Sequence, residues 1–189
     1  KIMEQRTPFK DSPLPDLKGK NDRFLVVDLH QEFNQPLLYL FRRAQRQIKR
    51  DKSSRAMIIS MDTPGGRVDV LQEIIGIINE IDVPVYLYVV GDAISAGALL
   101  SFSTQGIYMT ANSQIGDAAP IFMGPGGVQK MGAVEREKIQ SYLRSMVRTM
   151  AQNNGYRQEV GVAMIDAEFE LQYGEKLICA GGKQGELLT

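Results

Sequence analysis

Three nearly unbroken apolar runs, Phe24-Leu25-Val26-Val27-Asp28-Leu29, Ala56-Met57-Ile58-Ile59-Ser60-Met61 and Val85-Tyr86-Leu87-Tyr88-Val89-Val90, alternate along the chain with amphipathic helical patterns. Behind Asn34, a residue suited to cap a helix, Leu37, Leu40, Phe41, Ala44 and Ile48 fall on one helical face. Val70, Leu71, Ile74, Ile75, Ile78 and Ile81 do the same before the break at Asp82-Val83-Pro84. Strands apolar in both registers, each followed by a helix, predict an α/β fold of repeated βαβ units with buried, mainly parallel strands. In such a sheet, reactive groups collect at the carboxyl ends of the strands.

Composition narrows the class without naming the chemistry. The 189 residues suffice for one sizeable core, and 22 basic against 22 acidic residues leave no net positive field for nucleic acid. The one dense basic cluster, Arg42, Arg43, Arg46, Lys49 and Arg50, recurs at helical spacing and reads as a solvated helix face. Cys179 is the only cysteine, so the chain can form no internal disulfide. No apolar run approaches the roughly 20 residues of a membrane span, and no signal-peptide pattern occurs, so the chain reads as a soluble fragment. Residues 1–22, with Pro8, Pro13 and Pro15 among charged and small residues, are expected to form an extended arm. Residues 23–189 are expected to form one domain.

Two motifs lie at strand ends. Asp62-Thr63-Pro64-Gly65-Gly66 follows the second apolar run, and Ser95-Ala96-Gly97 follows the third. Glycines let backbone N–H groups approach a developing oxyanion, and a serine heading a helix can supply an attacking oxygen. Taken alone, Gly65-Gly66 is also an ordinary tight turn. The small residues Ala93, Ala96, Gly97 and Ala98 allow close packing around the serine while its Oγ stays accessible.

These motifs, followed by Ile107-Tyr108-Met109 and Ile115-Gly116-Asp117-Ala118-Ala119-Pro120-Ile121, resemble the NfeD-type membrane-bound serine protease family of stomatin-operon partner peptidases. That family belongs to the Clp protease and crotonase superfamily, and the match runs from about Phe24 to about Asp166. The resemblance implies Ser95 as nucleophile and the N–H groups of Gly66 and Ala96 as oxyanion donors. Aligning Asn112-Ser113-Gln114-Ile115 with the Clp subunit puts that enzyme's histidine on Ala118. A Ser-His-Asp triad is therefore not expected, and His30, which precedes both motifs, reads as a strand-end or loop residue.

The NfeD-type family uses a Ser-Lys dyad, and Glu135-Arg136-Glu137-Lys138-Ile139-Gln140-Ser141-Tyr142 resembles the start of its lysine helix. By that register the base is Lys138. A helical wheel places Ile139, Tyr142, Leu143, Met146, Val147 and Met150 on one stripe with Lys138 at its border, a pattern equally open to a snorkelling surface lysine. An amine acts as base only when neutral, which calls for desolvation or a nearby positive charge. Lys130 is the competitor but has no counterpart in the family.

Segment 121–132, rich in glycine yet carrying Ile121, Phe122, Met123, Val128 and Met131, is expected to be a mobile flap over an apolar groove. Gly65, Phe122 and Met123 are the expected substrate contacts. Asp92 and Ile94 depart from the run of small residues that often precedes Ser-Ala-Gly in relatives, and Asp92 or Asp117, if close, would keep the lysine charged. The tail 173–189 is expected to be frayed or borrowed by a neighbouring subunit.

The resemblance thus implies an endopeptidase without cofactor or metal. Its substrate would be a peptide or protein, such as an apolar segment of a stomatin-like membrane protein. It further implies at least a homodimer, membrane tethering through segments outside this chain, and an extracytoplasmic setting for the soluble domain. Two other readings share the fold: a catalytically weak interaction or assembly scaffold, and a crotonase-type acyl-CoA enzyme using the same oxyanion turn.

Overall fold

The computed structural model describes residues 22–124, 126–129, 131–179 and 187–188. The expected arm lies almost wholly outside them. The order opens with three turns of the repeat: β1 (Arg23–Leu29), α1 (Gln35–Arg50), β2 (Ser54–Thr63), α2 (Val68–Asn79), β3 (Val85–Ile94) and α3 (Ala96–Ser101). Strands β4 (Gly106–Met109), β5 (Gln114–Gly116), β6 (Phe122–Gly124) and β7 (Gly127–Gln129) follow. The chain continues with α4 (Ala133–Asn154), α5 (Gln158–Ile165), β8 (Leu171–Tyr173), β9 (Lys176–Cys179) and β10 (Leu187–Leu188).

The main sheet has the order β1-β2-β3-β5-β10, with β4 also paired to β3, and every pairing is parallel except β10 with β5. Because β1, β2 and β3 are adjacent in chain order, right-handed crossovers place α1 and α2 on one face. That face holds the core: Leu37, Phe41, Met57, Ile59, Met61, Leu71, Ile74 and Leu87 are all fully buried. Asn34 caps α1, its Oδ1 accepting the Leu37 N–H at 3.1 Å.

The opposite face is only partly covered. Phe24, Val26, Tyr88 and Val90 stand 42%, 56%, 42% and 38% exposed, so the outer registers of β1 and β3 are less buried than their apolar sequence suggests. With both crossovers on one side, no described helix of the repeat covers those residues.

β3 divides its outer edge between two partners. Its first half pairs with β4 from Tyr86 to Val89, and its last three residues pair with β5. Between these halves the register against β2 slips, Met61 facing Val89 and Thr63 facing Ala93, which leaves β3 with two extra residues. Asp62 closes this bulge, its Oδ1 accepting the Asp92 N–H at 3.0 Å while the carboxylate lies over Gly91.

Candidate active site

Ser95 occupies the turn between β3 and α3 with φ 54° and ψ −114°, a conformation that L-residues seldom adopt. Three backbone features hold it there. The Ser95 N–H donates to Gly116 O at 2.9 Å, the Ser95 carbonyl accepts from the Leu99 N–H at 3.2 Å, and Ile94 is paired to Gly116. The side chain is half-buried, and its Oγ has no hydrogen-bond partner among the described residues. A sharp, strained strand-to-helix turn that presents an unengaged hydroxyl is the geometry of a nucleophile elbow.

The Pro-Gly-Gly turn abuts it. Gly65 has φ 102°, and a Cβ there would lie 2.5 Å from Ser95 Cβ and 3.1 Å from Ser95 Oγ. Gly66 has φ 140°, and a Cβ there would lie 2.6 Å from the Phe33 nitrogen. Both positions therefore exclude a side chain by contact as well as by φ. Buried Phe33 clamps the turn through its own backbone, its N–H donating to Gly65 O at 2.8 Å and its carbonyl accepting the Arg67 N–H at 3.1 Å. In a parallel bridge of this kind the Gly66 N–H points away from Phe33, and it meets no acceptor among the described residues. The Ala96 N–H heads α3, where no earlier turn supplies an acceptor, and it too is unpaired among the described residues. Buried Thr63 completes the support: its hydroxyl donates to Gln31 O at 2.7 Å and accepts the Gly65 N–H at 3.2 Å.

Gly97 shows why the residue after Ser95-Ala96 is small. A Cβ there would lie 2.6 Å from Thr63 Cγ2 and 3.3 Å from Met61 Sδ, so α3 rests directly on the end of β2. Gly97→Ala is expected to destabilise by about 1–3 kcal/mol through overpacking, read as a fall in Tm of roughly 2–4 °C per kcal/mol. An unchanged melting temperature would show that Thr63 can swing aside at no cost.

Charged groups around the turn are largely occupied or exposed. Arg67, next to Gly66, grips Asp69 with both Nε and Nη2, and that hydrogen bonding holds the Asp69 carboxyl below the usual carboxylate range. Asp92 and Asp117 are exposed, and among the described residues neither makes an ion pair with Lys138. Asp117 has φ 47°, and the next residue, buried Ala118, donates its N–H to Met164 O at 2.8 Å. His30 follows β1 directly and lies 3.0 Å from Ser60 Oγ through its Nε2.

Lys138 sits in the second turn of α4, exposed, with no hydrogen bond or ion pair among the described residues. Ser95 and Lys138 are thus not hydrogen-bonded to one another here. The burial of α4 also begins later than the wheel suggests. Leu143, Val147, Met150 and Ala151 are buried, whereas Ile139 and Tyr142 stand 36% and 50% exposed. The helix outruns the body that buries it, and its first turns are held by polar tethers that sequence periodicity does not reveal. Gln72 of α2 donates to Tyr142 Oη at 2.6 Å, and Arg144 bridges Glu137 and Asp166 at 2.5 and 2.9 Å.

The segment expected to be a mobile flap contains a two-stranded antiparallel hairpin, β6 with β7, in which Phe122 faces Gln129 and Gly124 faces Gly127. Ile121 and Phe122 are 67% and 54% exposed. Lys130 and the side chains of Met123 and Val128 lie outside the described residues. In the tail, β8 and β9 form a hairpin, and Leu187 and Leu188 pair with Gly116 and Ile115. The rest of residues 180–189 lies outside the described residues.

Comparison with known proteins places this architecture. The family model for the NfeD1b N-terminal domain matches residues 23–189. The chain belongs to that NfeD1b family. The membrane-bound protease PH1510 of Pyrococcus horikoshii is 30% identical over 134 residues, which is 69% of this chain and 30% of that protein. The membrane protein NfeD1b of Bacillus subtilis is 26% identical over 172 residues, 91% of this chain and 36% of that protein. This NfeD1b-type chain therefore spans about a third of the length of these relatives.

Among solved structures, a serine-to-alanine mutant of the 1510-N membrane-bound stomatin-specific protease superposes with TM-score 0.68 at 25% identity, covering 76% of this chain and 70% of that one. A lysine-to-alanine mutant of the same protease in complex with a substrate peptide gives TM-score 0.69 at 19% identity, covering 87% and 90%. ClpP1 from Listeria monocytogenes gives 0.57 at 20% identity, covering 74% and 77%. The NfeD1b-type domain thus has a Clp-like fold. Among the described residues, no group of three or more His, Cys, Asp or Glu is placed to hold a metal ion, and no helix is long and apolar enough to cross a membrane.

Proposed function

We propose that this NfeD1b-type domain is a serine endopeptidase that cleaves apolar segments with Ser95 as nucleophile and Lys138 as general base. The observation that carries this reading is the Ser95 turn: a strained serine that packs against Gly65, whose Oγ, like the N–H groups of Gly66 and Ala96, has no partner among the described residues. That combination suits attack on a carbonyl carbon whose oxygen becomes negative beside two backbone donors. The matched relative described as a protease, with solved mutants at a serine and at a lysine, supports the same assignment.

The chemistry follows from the roles. The neutral Lys138 amine takes the proton as Ser95 Oγ bonds to the scissile carbonyl, and the Gly66 and Ala96 N–H groups hold the oxyanion. The resulting ammonium then protonates the departing amine. A water molecule, activated by the same amine, releases the acyl group from Ser95. Because Lys138 is exposed on turns of α4 that bury no side chain, closure over substrate is the step that desolvates the amine and aligns it. An extended substrate would lie beside Gly65, with Phe122 and Met123 of the β6–β7 hairpin covering its apolar side chains.

The substrate class suggested by the relative's description is a stomatin-like protein. A homodimer and membrane tethering through segments outside this chain, with the domain on the extracytoplasmic side, complete the proposal. An amine base works only unprotonated, so kcat/KM on an apolar peptide is expected to rise from acid through neutral to alkaline pH. A profile already flat at acid pH would point instead to a carboxylate base, with Asp117 the nearest in sequence to the Gly116 anchor.

A further inference from the structure

The basic residues of α1 divide into two groups that the sequence does not distinguish. Helix α1 contains no acidic residue. Arg42 and Lys49 lean toward α2 and its C-cap, Arg42 meeting Glu73 at 2.8 Å and Lys49 meeting the capping residue Glu80 at 3.8 Å. Arg43, Arg46 and Arg50 are exposed and have no hydrogen bond or ion pair among the described residues. At 100° per residue these three fall within one narrow stripe opposite the buried face of Leu37, Phe41, Ala44 and Ile48. Tyr39 lies on the same stripe, 64% exposed. From Tyr39 to Arg50 the stripe runs about 16 Å along the helix.

Beside it, Arg43, Arg46, Gln47, Arg50 and Asp51 line a shallow concavity of about 480 Å³. The Asp51 carboxylate is engaged elsewhere, accepting from Ser53 N–H at 3.0 Å and Ser53 Oγ at 2.6 Å, with Arg23 at 3.9 Å. The three guanidinium groups are left without a partner among the described residues. In a chain of formal net charge +0, this is a segregated patch rather than the edge of a general positive field.

We infer that the outer stripe of α1 is a contact surface for anionic phospholipid, on which Arg43, Arg46 and Arg50 hold headgroup phosphates and Tyr39 enters the interfacial layer. Arginine suits the role because its planar fork meets phosphate oxygens in pairs and is weakly hydrated. An exposed aromatic ring on the same line is what an interfacial helix adds to charge. The matched relatives are described as membrane proteins, so a lipid surface is within reach of such a domain. This contact is independent of the chemistry proposed for Ser95, and the two fail separately.

The test is sedimentation of the chain with vesicles of phosphatidylcholine alone or mixed in equal parts with phosphatidylglycerol. Binding is expected only to the anionic vesicles and is expected to fall as salt is raised. Each of Arg43→Gln, Arg46→Gln and Arg50→Gln should weaken partition by about fivefold, and the triple variant by roughly a hundredfold. Tyr39→Ser should weaken it further without changing its salt dependence. The double variant Arg42→Gln with Glu73→Gln, which removes an ion pair at constant net charge, should bind as the parent does. Equal binding by the parent and the triple variant would overturn the inference, as would equal binding to both vesicle types. So would capture by polyglutamate with no binding to anionic vesicles. All of these side chains are exposed, so unchanged thermal melting is expected and checks that each variant is folded.

Discussion

Ser95→Ala is expected to lower kcat on an apolar peptide by about 10⁴-fold or more while leaving the melting temperature within a degree or two of the parent. The activity loss follows from the role proposed for Ser95 Oγ as the attacking oxygen. The neutral stability follows because Ser95 Oγ has no hydrogen-bond partner among the described residues to lose. The backbone at φ 54° adds a sharper expectation. Ser95→Gly should be equally inactive yet more stable than Ser95→Ala by about 1 kcal/mol, because relief of strain outweighs the added freedom of the unfolded chain. An inactive protein that gains stability when its nucleophile is removed is the signature of a site that stores strain for function. Residual turnover near the parent's rate in Ser95→Ala would place the nucleophile elsewhere.

The second large effect belongs to Lys138. Lys138→Ala should reduce kcat by a factor comparable to the loss in Ser95→Ala, and the double variant should be no worse than either single one, because nucleophile and base act as a unit. Thermal melting should again be unmoved, since the Lys138 side chain is exposed and makes no hydrogen bond or ion pair among the described residues. A residue with no structural debt and a catalytic effect of this size cannot be explained as a folding defect. Lys138→Arg offers a further check: it keeps charge and length but cannot lose its proton, so it should be as inactive as Lys138→Ala. Full activity in Lys138→Arg would show that the position supplies charge rather than a base.

The repeat at the heart of the fold is readable from the chain because its signals are local. The apolar runs ending at Leu29, Met61 and Val90, the cap at Asn34 and the break at Asp82-Val83-Pro84 each act within a few residues. The expected strand limits fall inside the observed ones, and β3 runs on to Ile94 because its last residues find a second partner in β5. The small residues around Ser95 were likewise legible, and Gly97 shows their reason in its contact with Thr63.

What the chain does not reveal is carried by backbone groups distant in sequence. Phe33 clamps Gly65 and Gly66 through its N–H and carbonyl, so its side-chain identity gives no hint of that task. The two-residue bulge of β3 and its closure by Asp62, which accepts the Asp92 N–H, do not show as periodicity. The apolar stripe of α4 predicts burial from Ile139 onward, but the supporting body begins at Leu143, and tethers from Gln72 and Asp166 hold the rest.

Whether Ser95 is an activated nucleophile is decided by treating the purified chain with a fluorophosphonate probe and locating the adduct by mass spectrometry. One stoichiometric adduct is expected on the peptide carrying Ser95, formed faster at alkaline than at acid pH and absent from Ser95→Ala. Lys138→Ala should be labelled slowly at every pH. An adduct on another serine, or labelling of Ser95 at the same rate with and without Lys138, would contradict the role proposed for Ser95.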